Sequence, residues 1–215
     1  MTEPRRAFSV DLPALKVSSL SGKEHFSFIG APIKSTVKDF WSWSASDLVS
    51  NATRGRLAEF IVAMALDVDL NGVRDEWQAF DLVTRTGVKI EVKSAAYVQS
   101  WSQEDYSAIS FATPKTKSWD REHNIQAQET MRQADIYVFS LLAHKDKATI
   151  NPLDLSQWEF YVLATKQLNE RTRSQHSITL KSLQALAGAA VRYSELASHV
   201  SEVTNPSRNT VRTLD

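Results

Sequence analysis

One acidic-x-Lys tripeptide occurs in the sequence, Glu91-Val92-Lys93, and Asp81 stands ahead of it in the spacing Asp-x9-Glu-x-Lys. Val88, Ile90 and Val92 alternate with Lys89, Glu91 and Lys93, the pattern of a half-buried strand with a charged face. Upstream, Phe80 and Leu82 alternate with Asp81 and Val83, and Arg85-Thr86-Gly87 lies between the two runs. A tight loop at Thr86-Gly87 alone would set Leu82 against Glu91. A loop spanning Arg85 to Gly87 pairs Leu82 with Ile90 and Phe80 with Val92. It also puts Gly87 where a left-handed residue is needed. Apolar matching selects the longer loop, so Asp81 should face Glu91, with Lys93 further along the same face. Directly opposed carboxylates repel across a sheet. A divalent cation with oxygen ligands removes that repulsion, so a Mg2+ or Mn2+ site at Asp81 and Glu91 is expected, Lys93 adding a further positive charge.

A second carboxylate needs explaining. Between Leu57 and Leu66 the chain is apolar or small except for Glu59. At helical spacing Leu57, Phe60, Ile61, Met64 and Ala65 form one apolar face, and Gly55, Glu59, Val62, Ala63 and Leu66 the opposite one. A helix that is apolar all round is buried on most sides, and a lone buried carboxylate requires a cation. An arginine, a lysine or a shared metal would serve.

These residues need elements to hold them. The pattern predicts an extended N-terminal arm over residues 1–40 with a short helix near Thr36–Trp43. A capping box at Ser44–Asp47 should start a long helix running to about Asp67, followed by a turn at Asn71-Gly72. Strands are expected at Gln78–Thr84, Val88–Ser94, Ser107–Ala112, Ile136–Leu142 and Glu159–Ala164. Helices are expected at His123–Gln133 and over Leu180–Val200, the latter broken at Gly188. Residues 41–200 then form a single domain and 201–215 a disordered tail. The fold class is α/β (α+β), a central mixed β-sheet of about five strands flanked by helices.

The Asp-x9-Glu-x-Lys hairpin, preceded by a helix bearing Glu, resembles the PD-(D/E)xK nuclease superfamily with its restriction-endonuclease-like core. The resemblance covers Arg54 to about Gln99, and the element order to Ala164. Phe80, rather than proline, precedes Asp81 here. The resemblance implies a metal-dependent phosphodiesterase, with Asp81, Glu91 and the Val92 carbonyl holding Mg2+ or Mn2+. Lys93 would orient water or stabilise developing charge. Glu59 would join through a water or a second metal, and Gln99 would orient substrate. A DNA endonuclease of restriction, phage defence or repair is implied, acting as a homodimer or beside a specificity-supplying partner protein. An RNA-cleaving enzyme of the same fold and a silent nucleic-acid-binding or assembly subunit are the alternatives.

Composition narrows the rest. The 215 residues carry 25 basic and 25 acidic side chains, which argues against a protein that merely coats nucleic acid, since such affinity comes from basic excess. There is no cysteine, hence no disulfide framework and no thiolate metal site. No long apolar run follows the start or occurs later, so a cytoplasmic protein without membrane contact is expected. Trp77, Trp119 and Trp158 are expected at the core or its rim. Trp101, with Tyr97 and Tyr106, is the aromatic group best placed for substrate. Lys115, Lys117 and Arg121, and Lys166, Arg171 and Arg173, are basic clusters able to meet phosphates. The histidines show no metal-ligand spacing.

Overall fold

A computed structural model describes residues 12–205. In chain order the elements are β1 (His25–Phe28), β2 (Ala31–Thr36), α1 (Val37–Ala45), α2 (Asn51–Ala65), β3 (Leu82–Val83), β4 (Lys89–Ala96), β5 (Ser110–Ala112), β6 (Trp119–Asp120), β7 (Ile125–Gln126), β8 (Ile136–Leu142), β9 (Trp158–Ala164), α3 (Thr165–Asn169), β10 (Ser177–Thr179), α4 (Leu180–Ala187) and α5 (Leu196–Thr204). The central sheet has four strands in the order β3-β4-β8-β9. β4 and β8 run parallel, and the outer pairs run antiparallel. The α+β class and the mixed sheet are as the sequence predicts. The fifth strand is not in this sheet, because Ser110–Ala112 pairs with Ser177–Thr179 instead.

Apolar alternation in β8 explains the layering. Ile136, Val138 and Leu142 pack with Ala58, Ile61 and Val62 of α2 and with Leu196 and Val200 of α5. Tyr137, Phe139 and Leu141 point the other way, against Phe111, Ile178 and Leu183. Every residue of β8 is buried, as befits a central strand covered on both faces.

Several expected elements differ. Residues 25–36, read as extended arm, form a hairpin turning at Ile29 and Gly30, both left-handed. Ser44–Asp47 does not cap the long helix: α1 runs to Ala45, and the Asp47 carboxylate accepts the N–H groups of Val49 and Ser50, so α2 starts only at Asn51. His123–Gln133 is not helical. Asp120 captures the N–H groups of Glu122 and His123, Asn124 turns left-handed, and β6 and β7 pair across the turn. Gly188 does end α4, at φ +80°, but α5 continues through Thr204, into the expected tail; the remainder of that tail lies outside the described residues. Trp158 is fully buried, while Trp77 and Trp119 are exposed, correcting their expected place at the core or its rim. Among the described residues no helix is long and apolar enough to cross a membrane.

Candidate active site

The β3–β4 hairpin takes the register that apolar matching predicts. Leu82 pairs with Ile90 and Val83 with Lys89. The connection closes with Gly87 N–H donating to the Thr84 carbonyl at 2.9 Å, and Gly87 sits at φ +85°. The predicted strand from Gln78 is nevertheless cut short at Leu82. Asp81 N–H donates to the Ile90 carbonyl at 3.0 Å, and the Asp81 carboxylate accepts the Val92 N–H at 2.7 Å. In an unbroken ladder that N–H would go to the Phe80 carbonyl. The side chain replaces the backbone, so pairing stops and the edge of β4 beyond Val92 is left open.

On β4, Ile90, Val92 and Ala96 face α2, whereas Glu91 and Lys93 face the opposite side, beside Tyr137 and Phe139 of β8. Lys93 Nζ donates to Glu91 Oε1 at 2.5 Å, both half-buried. α2 presents a different stripe from the one predicted: Arg54, Ala58, Ile61, Val62 and Ala63 are buried, while Phe60 and Met64 are exposed. Small Ala58 and branched Val62 let the helix approach β4, and Glu59 is carried to the side of that contact.

The cation that Glu59 requires is Arg74. Its guanidinium binds both carboxylate oxygens, with Nη2 2.9 Å from Oε1, and lies 3.8 Å from Asp81 Oδ1. Arg74 thus ties α2 to the hairpin. Nothing in its spacing marked it out; only the demand of Glu59 for a counter-charge pointed to such a residue. Burial pushes the Asp81 carboxyl up to about 6, and the neighbouring Glu91 and Glu59 charges push the same way against the Val92 N–H and Lys93. Among the described residues no three Asp, Glu or His side chains converge closely enough to hold an ion between them. Glu59 faces Arg74. Asp81 and Glu91, with the Val92 carbonyl at the open edge, offer oxygen donors and surplus negative charge, a set that suits Mg2+ or Mn2+.

Gln99 is already engaged within the protein. It is buried, accepting from Arg54 and donating to the Ala96 carbonyl and Ser107. Trp101 is exposed, and Tyr97 and Tyr106 meet edge-on beneath Lys145. Of the basic clusters, Arg121 is committed to Asp75 and the Leu15 carbonyl, and Arg171 to the Ser177 carbonyl. Lys115 and Lys117 stay exposed.

Comparison with known proteins adds a separate finding. The family model described as bacteriophage T4 endonuclease IV matches residues 9–182, a span that includes every residue of this corner. No curated protein matches the chain.

Proposed function

Since this chain belongs to the bacteriophage T4 endonuclease IV family, and is thus a nuclease, we propose that it is a divalent-metal-dependent DNA endonuclease whose reaction centre is the corner of Asp81, Glu91 and Lys93. The observation that carries this reading is the crowding of negative charge at a half-buried aspartate. Burial first, and then Glu91 and Glu59, raise its carboxyl to about 6, and a divalent ion would relieve the crowding of charge. Asp81, Glu91 and the Val92 carbonyl would hold Mg2+ or Mn2+, which supplies a Lewis acid for the phosphoryl oxygen and acidifies water. Resemblance to PD-(D/E)xK enzymes supports the same assignment.

The chain's own residues do the remaining work. The Val92 N–H fixes one Asp81 oxygen, so the carboxylate cannot swing away from the strand edge. Lys93 is held by Glu91 on the same face. Its ammonium stabilises negative charge that grows on the phosphoryl oxygens as attack proceeds. Arg74 fixes Glu59 and supports Asp81 from the other side. Glu59 is here a positioning residue acting through Arg74.

Plasmid, single-stranded DNA and structured RNA, each incubated with Mg2+, Mn2+ or EDTA, test the proposal. DNA should be cut in either metal and left intact in EDTA. Lys93→Ala should lower cleavage by on the order of 100-fold or more while sparing binding. Cutting of RNA alone would replace DNA as substrate, and cutting in EDTA would remove the metal.

A further inference from the structure

Arg54 of α2 is only 3% exposed, yet none of its partners is an anion. Nε donates to Ser94 Oγ at 3.2 Å, Nη1 to the Val49 carbonyl at 2.7 Å and Gln99 Oε1 at 3.2 Å, and Nη2 to Asn51 Oδ1 at 2.6 Å. This leaves an Nη2 proton without an acceptor among the described residues. A buried cation with no counter-charge is costly, and burial lowers its hold on the proton, with Asp47 the source of opposing attraction.

The guanidinium forms part of the wall of a cavity of about 350 Å³, together with Lys93, Ser94, Asn51 and Ser110. The cavity runs along the open edge of β4. The Ile90 carbonyl and Val92 N–H point to that edge, and by the two-residue alternation so does the main chain of Ser94. Lys93 joins the cavity to the carboxylate corner through its bond to Glu91. Two cations and polar groups thus surround a space beside the proposed reaction centre, and no carboxylate lines it.

We propose that this cavity binds a phosphodiester of the nucleic-acid backbone next to the scissile one, with Arg54 donating from the floor. The assignment rests on the nuclease reading and adds to it a substrate-positioning residue that is not at the carboxylates. Arg54 holds the strand in register through an oxyanion, and Gln99 and Ser94 hold Arg54.

The test uses the full chain in EDTA, which withholds the divalent metal. The Nε–Hε resonance of Arg54, identified through Arg54→Lys, is followed in the unsubstituted protein. The probes are a short oligothymidylate, the same oligomer with neutral methylphosphonate linkages, and inorganic phosphate. The charged oligomer should shift the resonance saturably and the neutral one should not, with the Arg132 resonance unmoved. A shift with inorganic phosphate alone, or no shift at all, overturns the proposal. Gln99→Glu supplies a second readout, since it sets a carboxylate against Arg54 with little change of shape. Oligomer affinity should fall by about tenfold, and the salt dependence of binding should flatten by about 0.7 in log–log slope. If Gln99→Glu raises stability and leaves affinity and slope unchanged, Arg54 is structural only. A protein that cuts DNA in Mg2+ with an unresponsive Arg54 loses this subsite alone. A responsive Arg54 in a protein that cuts nothing keeps the subsite and loses the nuclease chemistry.

Discussion

Two charges taken out of water, Arg132 and Asp81, are handled differently by the fold. Arg132, just before β8, is 4% exposed, and every N–H of its guanidinium has an acceptor. Nε and Nη2 donate to the Thr113 carbonyl, Nη2 also to the Gln175 carbonyl, and Nη1 to Asn169 and Gln175 side chains. Asp81 receives a single hydrogen bond, from Val92, and a distant ion contact from Arg74, while Glu91 and Glu59 press like charge upon it. Tyr137 stands between the two regions. It is paired in register with Glu91, and its hydroxyl is pushed up to about 12 by burial and then by Glu91, against the pull of Arg132. The difference teaches where a fold spends its polar groups. A charge that serves folding is saturated, so nothing is left for a ligand. The charge at Asp81 is left in surplus, and the fold carries the cost.

If so, substitutions at the two places should change stability in opposite directions. Arg132→Met should produce the largest effect. It strands the buried Thr113 carbonyl, the half-buried Gln175 carbonyl and two side-chain acceptors, and each buried unsatisfied group costs about 1–3 kcal/mol. A loss of about 4 kcal/mol is expected in urea denaturation, with cleavage per folded molecule preserved. A loss below about 1 kcal/mol would break the contrast.

Asp81→Asn should instead stabilise the metal-free protein, while abolishing cleavage. Asn keeps an acceptor for the Val92 N–H but carries no charge. The folded carboxyl titrates at about 6, above its usual 3.8, so the folded state holds its proton to higher pH than the unfolded state does. Wild-type stability therefore falls as pH rises through this window. The variant escapes that fall and should be more stable by as much as about 3 kcal/mol near about pH 8. The two should converge below about pH 4. Mg2+ should then stabilise the wild type and leave Asp81→Asn unmoved. Parallel stability curves across this range would show that Asp81 bears no surplus.

The sequence made the Leu82–Ile90 register legible because apolar matching and Gly87 act over a few residues. β8 and β9 were legible because each is a short run of mostly apolar, β-branched and aromatic residues. What it hid is long-range. Arg74 meets Glu59 and Asp81, and Arg54 meets Ser94 and Gln99, only after α2 docks, and no local pattern encodes that docking. The buried stripe of α2 was misassigned for a related reason: a helix apolar all round gives no preferred face, so the small residues that fit β4 decide. The helix predicted at His123–Gln133 failed on local chemistry instead, since Asp120 offers the backbone better acceptors than a helical turn would.

Arg74→Ala should have the smallest effect and the sharpest meaning. The arginine side chain is 39% exposed, so solvent screens its pairing with Glu59, and loss of about 1 kcal/mol is expected at low salt. The loss should shrink below about pH 6, where Asp81 is protonated and the corner holds less negative charge. The carboxyl 13C resonance of Asp81 should titrate still higher in the variant, because a cation 3.8 Å away has gone. Removing that cation also removes a repulsion against any divalent ion and frees Glu59 to turn toward Asp81. Mn2+ should therefore bind about fivefold more tightly, and adding Glu59→Gln should cancel the gain. Unchanged Mn2+ affinity would mean that Arg74 neutralises Glu59 for the fold alone, and that the surplus at this corner belongs to Asp81 and Glu91.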